Sequence, residues 1–169
     1  MKAGILFLAL TGLSIGCAVA APPAVKGDAE PLRSRLVGTW QVMEVVDTDP
    51  VGKIQHPYGE RPTGYIVYDP TGHLHVQLMR TPATPPFAEG DQKGSDREVR
   101  AAYDGYVAYF GTYRVDEAQS RVIHEVQGSL MPSYTGTDQP RPFKLSGDEL
   151  IIEGKTQEGG FYRRFRRVK

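Results

Sequence analysis

After about residue 35 the chain reads as short runs of alternating apolar and polar residues, broken by glycine and proline. Leu36 to Val46 is rich in β-branched residues and predicts a first strand. Asp47 to Pro62 carries three Pro and two Gly and predicts a long loop. Thr63 to Asp69 and His73 to Arg80 predict a hairpin across Asp69-Pro70-Thr71-Gly72, where Pro suits a turn and Gly ends it. Thr81 to Gly94 has three Pro and no periodicity, and reads as loop. Ser95 to Tyr103 predicts the only helix: Ser95 caps it, Glu98 completes a capping box and Gly105 stops it. Tyr106 to Asp116 and Val122 to Gly128 predict a second hairpin. Pro140 to Leu145, Glu149 to Gly154 and Phe161 to Val168 predict three more strands, separated by Ser146-Gly147-Asp148 and Glu158-Gly159-Gly160. Eight strands and one short helix, with no repeat and no internal boundary, predict an all-β domain over residues 35–169. An eight-stranded antiparallel up-and-down barrel suits that count, with a two-sheet sandwich as the alternative.

The first twenty residues follow a different pattern. Lys2 precedes an uncharged apolar run from Ala3 to Gly16, and Ala18-Val19-Ala20 supplies a small-x-small cleavage site. Residues 1–20 therefore read as a secretory signal peptide, and the protein is expected in the periplasm or secreted. The run falls short of the ~20 residues a membrane span needs, and no later segment reaches that length, so no transmembrane segment is expected. Cys17, the one cysteine, lies inside the leader; Ser14-Ile15-Gly16-Cys17 resembles a lipobox, so the alternative is a lipoprotein anchored through Cys17. Residues 21–34 read as a flexible tether.

Composition narrows the function classes. Lys and Arg total 20 and Asp and Glu total 20, a balance that argues against a nucleic-acid partner. A single Cys rules out a disulfide framework and a cysteine metal cluster. There is no P-loop, dinucleotide glycine motif, H-E-x-x-H or G-x-S-x-G, and no cofactor is expected.

Several phrases carry a family resemblance. Gly38-Thr39-Trp40 is a G-x-W opening; Pro57-Tyr58-Gly59 and Pro62-Thr63-Gly64-Tyr65-Ile66-Val67-Tyr68 follow. Then come Gly72-His73-Leu74-His75-Val76-Gln77-Leu78-Met79-Arg80 and Tyr106-Val107-Ala108-Tyr109-Phe110-Gly111-Thr112-Tyr113. Val122-Ile123-His124 and Arg141-Pro142-Phe143 complete the series. In this order they resemble the bacterial lipocalin-like domain family. The resemblance implies a calycin-type β-barrel whose relatives bind small apolar molecules, while a few distant ones catalyse cyclisation or isomerisation. It also implies that Trp40 closes one end against an arginine of the last strand: Arg167, with Arg164 as the alternative. Gly38, Trp40 and Arg167 thus form the expected closure, worth about 0.5–2 kcal/mol through a cation–π contact.

Strand alternation sorts the remaining candidates. Trp40, Val42, Glu44 and Val46 share one face, so a Trp40 inside places Glu44 inside, as a buried base or as a paired carboxylate near the rim. Tyr109, Gly111, Tyr113 and Val115 share the expected inner face, with Gly111 marking a bend. Val122, His124 and Val126 share another; His124 is either a satisfied core histidine or an acid/base or ligand contact. Arg141, alternating with Phe143 and Leu145, is expected to bind an anionic ligand group, to pair with Glu44, or to sit at the rim. His73 and His75 form an H-x-H that reads as solvent-facing, with no metal site expected. The Arg-rich end, 163–167, reads as a solvated strand.

These readings yield a ranked expectation. The first is an exported carrier that binds a small, apolar or amphipathic molecule in a cavity lined by Tyr68, Val76, Tyr109 and Tyr113, with His124 and Arg141 as polar fixing points. The second is an enzyme of the same fold using Glu44 or His124 for proton transfer. The third is a packed barrel acting through loops 47–62 and 81–94.

Overall fold

The computed structural model describes residues 30–169; the leader, Cys17 and most of the tether lie outside them. In chain order the elements are α1 (Leu32–Leu36), β1 (Gly38–Thr48), β2 (Ile54–Gln55), β3 (Thr63–Tyr68), β4 (His73–Met79) and α2 (Asp96–Asp104). They continue with β5 (Tyr106–Asp116), β6 (Arg121–Ser129), a 3₁₀ turn at Pro132–Tyr134, β7 (Asp138–Ser146), β8 (Glu149–Thr156) and β9 (Gly159–Arg167). All strand pairs are antiparallel, and β9 returns to β1 from Trp40 opposite Arg167 to Thr48 opposite Gly160. Eight long strands thereby close into a barrel, which excludes the sandwich. β2 is a two-residue flap on the end of β1.

The helix Asp96–Asp104 forms where the capping box predicts, with the Glu98 carboxylate accepting from the Ser95 N–H at 2.8 Å. It was not the only helical segment. α1 begins within the stretch assigned to the tether and ends at Leu36, the residue expected to open the first strand. Five residues cannot sustain a helix alone. Tertiary contacts hold this one: Glu117 accepts from the Leu32 and Arg33 N–H groups, and Leu36 is fully buried.

Two strand irregularities set which side chains face inward. In β1 the register shifts between Val42 and Glu44. Trp40, Val42 and Val45 are therefore the buried positions, and Glu44 turns to the outer surface. The expectation of an inward Glu44 fails because one extra residue, Met43, reverses the alternation. Glu44 instead meets Arg164 at 3.2 Å, so Arg141 has no pairing with it. In β5–β6 the shift falls at Phe110/Gly111, where a Cβ on Gly111 would sit 2.1 Å from the Glu125 carbonyl oxygen. Gly111 is there because the partner backbone comes too close for any side chain.

The barrel has one plugged end and one open end. α1 and the turns after β3, β5 and β7 crowd the plugged end, where Arg33 donates to the Pro70 carbonyl and Arg35 to that of Leu145. The Trp40 indole N–H donates to the Leu36 carbonyl at 2.8 Å. Arg167 lies over the indole, its Cζ 4.1 Å from the ring centroid, and donates to the Val37 and Arg35 carbonyls. Gly38 makes this possible: its φ is +138°, and a Cβ there would fall 2.6 Å from Arg167 Nη1. The final strand is thus not simply solvated. Arg163 and Arg167 reach inner or end positions, while Arg166 is exposed.

This closure generates a prediction. Arg167→Met keeps the stem but removes the guanidinium donors and the cation–π contact. It should lower unfolding stability by about 2–4 kcal/mol in urea titration, with the barrel retained. A change below about 0.5 kcal/mol would show that α1 plugs the barrel without Arg167.

Candidate functional site

Above the plug, the inner faces leave a cavity of about 550 Å³ that opens between the loops. Its wall is apolar where β3, β4, β5, β8 and β9 contribute Ile66, Val76, Leu78, Val107, Ile152 and Phe165. Val76 stands opposite both Ile66 and Tyr109, so these three strands present one continuous band. Tyr58 from the long loop and Tyr134 from the 3₁₀ turn stand towards the mouth, and Tyr134 packs edge-on against Tyr109 at 6.0 Å.

One buried polar cluster interrupts this lining. His124, on β6, is the one buried polar or charged side chain among the described residues, at 1% exposure. Its Nε2 lies 2.7 Å from the Tyr68 hydroxyl and its Nδ1 lies 2.9 Å from the Tyr109 hydroxyl. Burial pushes the His124 pKa down to about 3, helped by the Arg141 charge. Burial likewise pushes Tyr109 up to about 12 and Tyr68 well above its ordinary value. The cluster is therefore uncharged at neutral pH. Both ring nitrogens of His124 are hydrogen-bonded, as those of a buried polar group must be.

The candidate residues separate by depth. Val76, Tyr109, His124 and Arg141 line the cavity. Tyr68 and Tyr113 do not, contrary to the expectation that all four aromatic and aliphatic candidates would. They lie in the plug beneath it, their rings 5.0 Å apart and edge-on, with the Tyr113 hydroxyl donating to the Asp69 carbonyl at 2.8 Å. Alternation alone assigns an inner face but not a height along the barrel axis. Gly38, Trp40 and Arg167 belong to the plug.

Arg141 is half-buried and projects beside the cluster. It donates to Gln139 Oε1 at 3.1 Å, and its Cζ lies 5.5 Å from the Phe161 ring centroid. Among the described residues no carboxylate lies within ion-pair distance of it. Arg163, the other cation of the wall, is by contrast paired with Asp47 and also donates to the Val46 carbonyl.

Tyr58, Tyr134, Gln139, Phe161 and Arg163 also line the cavity and lie outside the site residues expected from the sequence. Counting back by two from Phe165 places Arg163 and Phe161 on its face, and Gln139 shares Arg141's face in the same way. Tyr58 and Tyr134 sit on loops, where no periodicity exists to find them.

No group of three His, Cys, Asp or Glu is placed to hold a metal among the described residues. His73 and His75 are exposed on the outside of β4. No helix among them is long and apolar enough to cross a membrane.

The His124 environment has a consequence for stability. The unfolded imidazole takes up a proton near its ordinary pKa of about 6.5, while the folded one resists until about 3. The unfolded state therefore binds more protons in that window, and stability falls as pH drops through it. Between pH 7 and pH 5 the wild type should lose about 2 kcal/mol more than His124→Gln, measured by urea unfolding at both values. Equal losses would mean that the imidazole is protonated in the fold.

The model of a family described as Lipocalin-like domain matches residues 37–162. The 4'-hydroxy-3'-methoxypropiophenone carrier protein ppsC of Aspergillus oryzae is 39% identical over 87 residues, covering 47% of this chain and 77% of that protein. Two solved structures also overlay on the fold. A redesigned β-barrel does so with a TM-score of 0.41, 18% identity, and 81% of this chain and 95% of its own covered. A de novo designed fluorescence-activating β-barrel gives 0.40, 14%, 82% and 98%.

Proposed function

This chain belongs to the Lipocalin-like domain family, and on that footing we propose that it is an exported carrier of a small, largely apolar molecule held in the barrel. The observation that carries this reading is the open cavity of about 550 Å³, in which an apolar band from Ile66, Val76, Leu78, Val107, Ile152 and Phe165 faces polar and charged side chains including His124, Arg141, Arg163 and Asp47. Such an arrangement suits a small molecule with both characters: the band desolvates an apolar body while the polar groups fix its orientation. A carrier function for the relative from Aspergillus oryzae supports it.

The two rival readings are weaker on specific grounds. A proton-transfer enzyme of this fold would use Glu44 or His124. Glu44 lies outside the barrel against Arg164, and both ring nitrogens of His124 are engaged by tyrosines. A packed barrel acting only through its loops leaves a cavity of this size without a role.

The carrier reading is tested with N-phenyl-1-naphthylamine, a neutral apolar dye that fluoresces on leaving water. We expect saturable one-site enhancement at micromolar dye. Leu78→Trp, which fills the cavity wall, should weaken it at least ten-fold while the circular dichroism spectrum is unchanged. No saturable signal, or an unchanged affinity in the folded variant, would overturn the reading.

Export is tested separately by the intact mass of the protein recovered from its native host. The expected mass is that of a chain beginning at Ala21. A diacylated Cys17 would mark membrane anchoring instead, and an uncleaved leader would rule out export by this route.

A further inference from the structure

The buried chain Tyr68–His124–Tyr109 has a direction, and that direction specifies what the cavity offers a ligand. A neutral imidazole has one N–H donor and one bare acceptor nitrogen. Two arrangements are open. In the first, Nε2 carries the proton and donates to Tyr68, while Tyr109 donates to Nδ1. In the second, Tyr68 donates to Nε2, and Nδ1 carries the proton and donates to the Tyr109 oxygen.

The closed end of the chain decides between them. Tyr68 is fully buried, and His124 is the single hydrogen-bond partner of its hydroxyl. In the first arrangement the Tyr68 proton has no acceptor, which leaves a buried donor unsatisfied. In the second, every proton in the plug is used. The geometry therefore assigns the proton to Nδ1. The Tyr109 oxygen then receives a hydrogen bond from below, and its own O–H is left to donate upward into the cavity.

Arg141 stands at the same spot with the same polarity. It is close enough to bear on Tyr68, Tyr109 and His124 together, and a guanidinium can only donate. Its side-chain contacts are with neutral groups, Gln139 Oε1 at 3.1 Å and the neighbouring Tyr109 hydroxyl oxygen. The carboxylates of the cavity wall are occupied or remote from it. Asp47 is paired with Arg163, Asp49 accepts the Val51 and Lys53 N–H groups in its own turn, and Glu158 is exposed in the turn between β8 and β9. A half-buried cation without a carboxylate thus lies beside a phenol that presents a proton.

Resting on the carrier reading above, we propose that the cavity takes its ligand by an anionic oxygen head group, a carboxylate, received between the Tyr109 O–H and the Arg141 guanidinium. The apolar body then lies along Val76, Leu78, Ile66 and Ile152 towards the mouth. The site selects an amphipathic weak acid over its neutral or cationic counterparts, because both polar groups donate and one is charged. His124 is a positioning residue here: it orients the Tyr109 hydroxyl and does not meet the ligand's charge with one of its own.

Three probes with the same naphthyl body test this by calorimetry at pH 7: 1-naphthaleneacetate, 1-naphthaleneethanol and 1-naphthaleneethylamine. Each is also run as a competitor of bound N-phenyl-1-naphthylamine. We expect the acetate to bind at least ten-fold more tightly than the ethanol, and the ethylamine more weakly than either. Arg141→Gln should bring the acetate down to the affinity of the ethanol. Tyr109→Phe should weaken the acetate about five- to ten-fold. Because that variant also disturbs His124, the ¹⁵N shifts of the His124 ring in the wild type give an independent reading, with Nδ1 expected to carry the proton.

Dye binding without a preference for the acetate would overturn the proposal while the carrier reading stands. So would a proton on Nε2, or an acetate preference that survives Arg141→Gln. If neither the dye nor any probe binds, the carrier reading falls and this proposal falls with it.

Discussion

The ladder between β1 and β9 is the constraint on which the rest depends. Pairing from Trp40–Arg167 to Thr48–Gly160 removes the last free sheet edge, so eight strands enclose a volume instead of covering a layer. A closed barrel must then do something with its interior. Here the lower part is filled by Trp40, Tyr68, Leu74 and Leu150 under a helical plug, all with no exposed surface. The upper part is left hollow. Plug and cavity are two consequences of one closure. The interior side chains are large at one end, and the loops that carry Tyr58 and Tyr134 stand at the other.

The junction between these parts is polar. A histidine buried at the base of the cavity would be costly if either nitrogen were unpaired. Two tyrosines from β3 and β5 solve this, one from the plug side and one from the cavity side. Burial keeps His124 neutral and makes both phenols resist ionisation, and on the proposed proton arrangement the plug passes its hydrogen-bond polarity to the cavity. Function on this reading depends on the rigid interior as much as on the loops. The loops contribute Tyr58 and Tyr134, which decide how the mouth is shaped.

Much of the fold was legible in the chain. The hairpin at Asp69–Gly72, the capping box at Ser95 and Glu98, and the eight strand-length runs all rest on local physics: φ preferences, side-chain caps and two-residue periodicity. The G-x-W opening was legible as a family feature, and the structure supplies its mechanics in the Gly38 φ, the indole stack and the Arg167 donors. The failures share one cause. Unbroken alternation through β1 places Glu44 inward, and the bulge at Met43 that reverses it comes from pairing with β9, more than a hundred residues away. α1 reads as tether in the sequence because its five residues have no helical strength of their own, and Glu117 and the barrel end supply what is missing.

The sequence by itself thus determined the elements, the inward faces of the unbroken strands and the set of residues from which a site had to be drawn. Each of these is encoded within a few neighbouring positions. Only the tertiary structure decided height along the barrel, which separates Tyr68 and Tyr113 in the plug from Tyr109 and His124 at the cavity. It also decided which cation stays without a carboxylate, Arg141 and not Arg163. Those properties depend on register between strands distant in sequence, and a period of two within one strand contains no information about where a second strand will stop sliding past it.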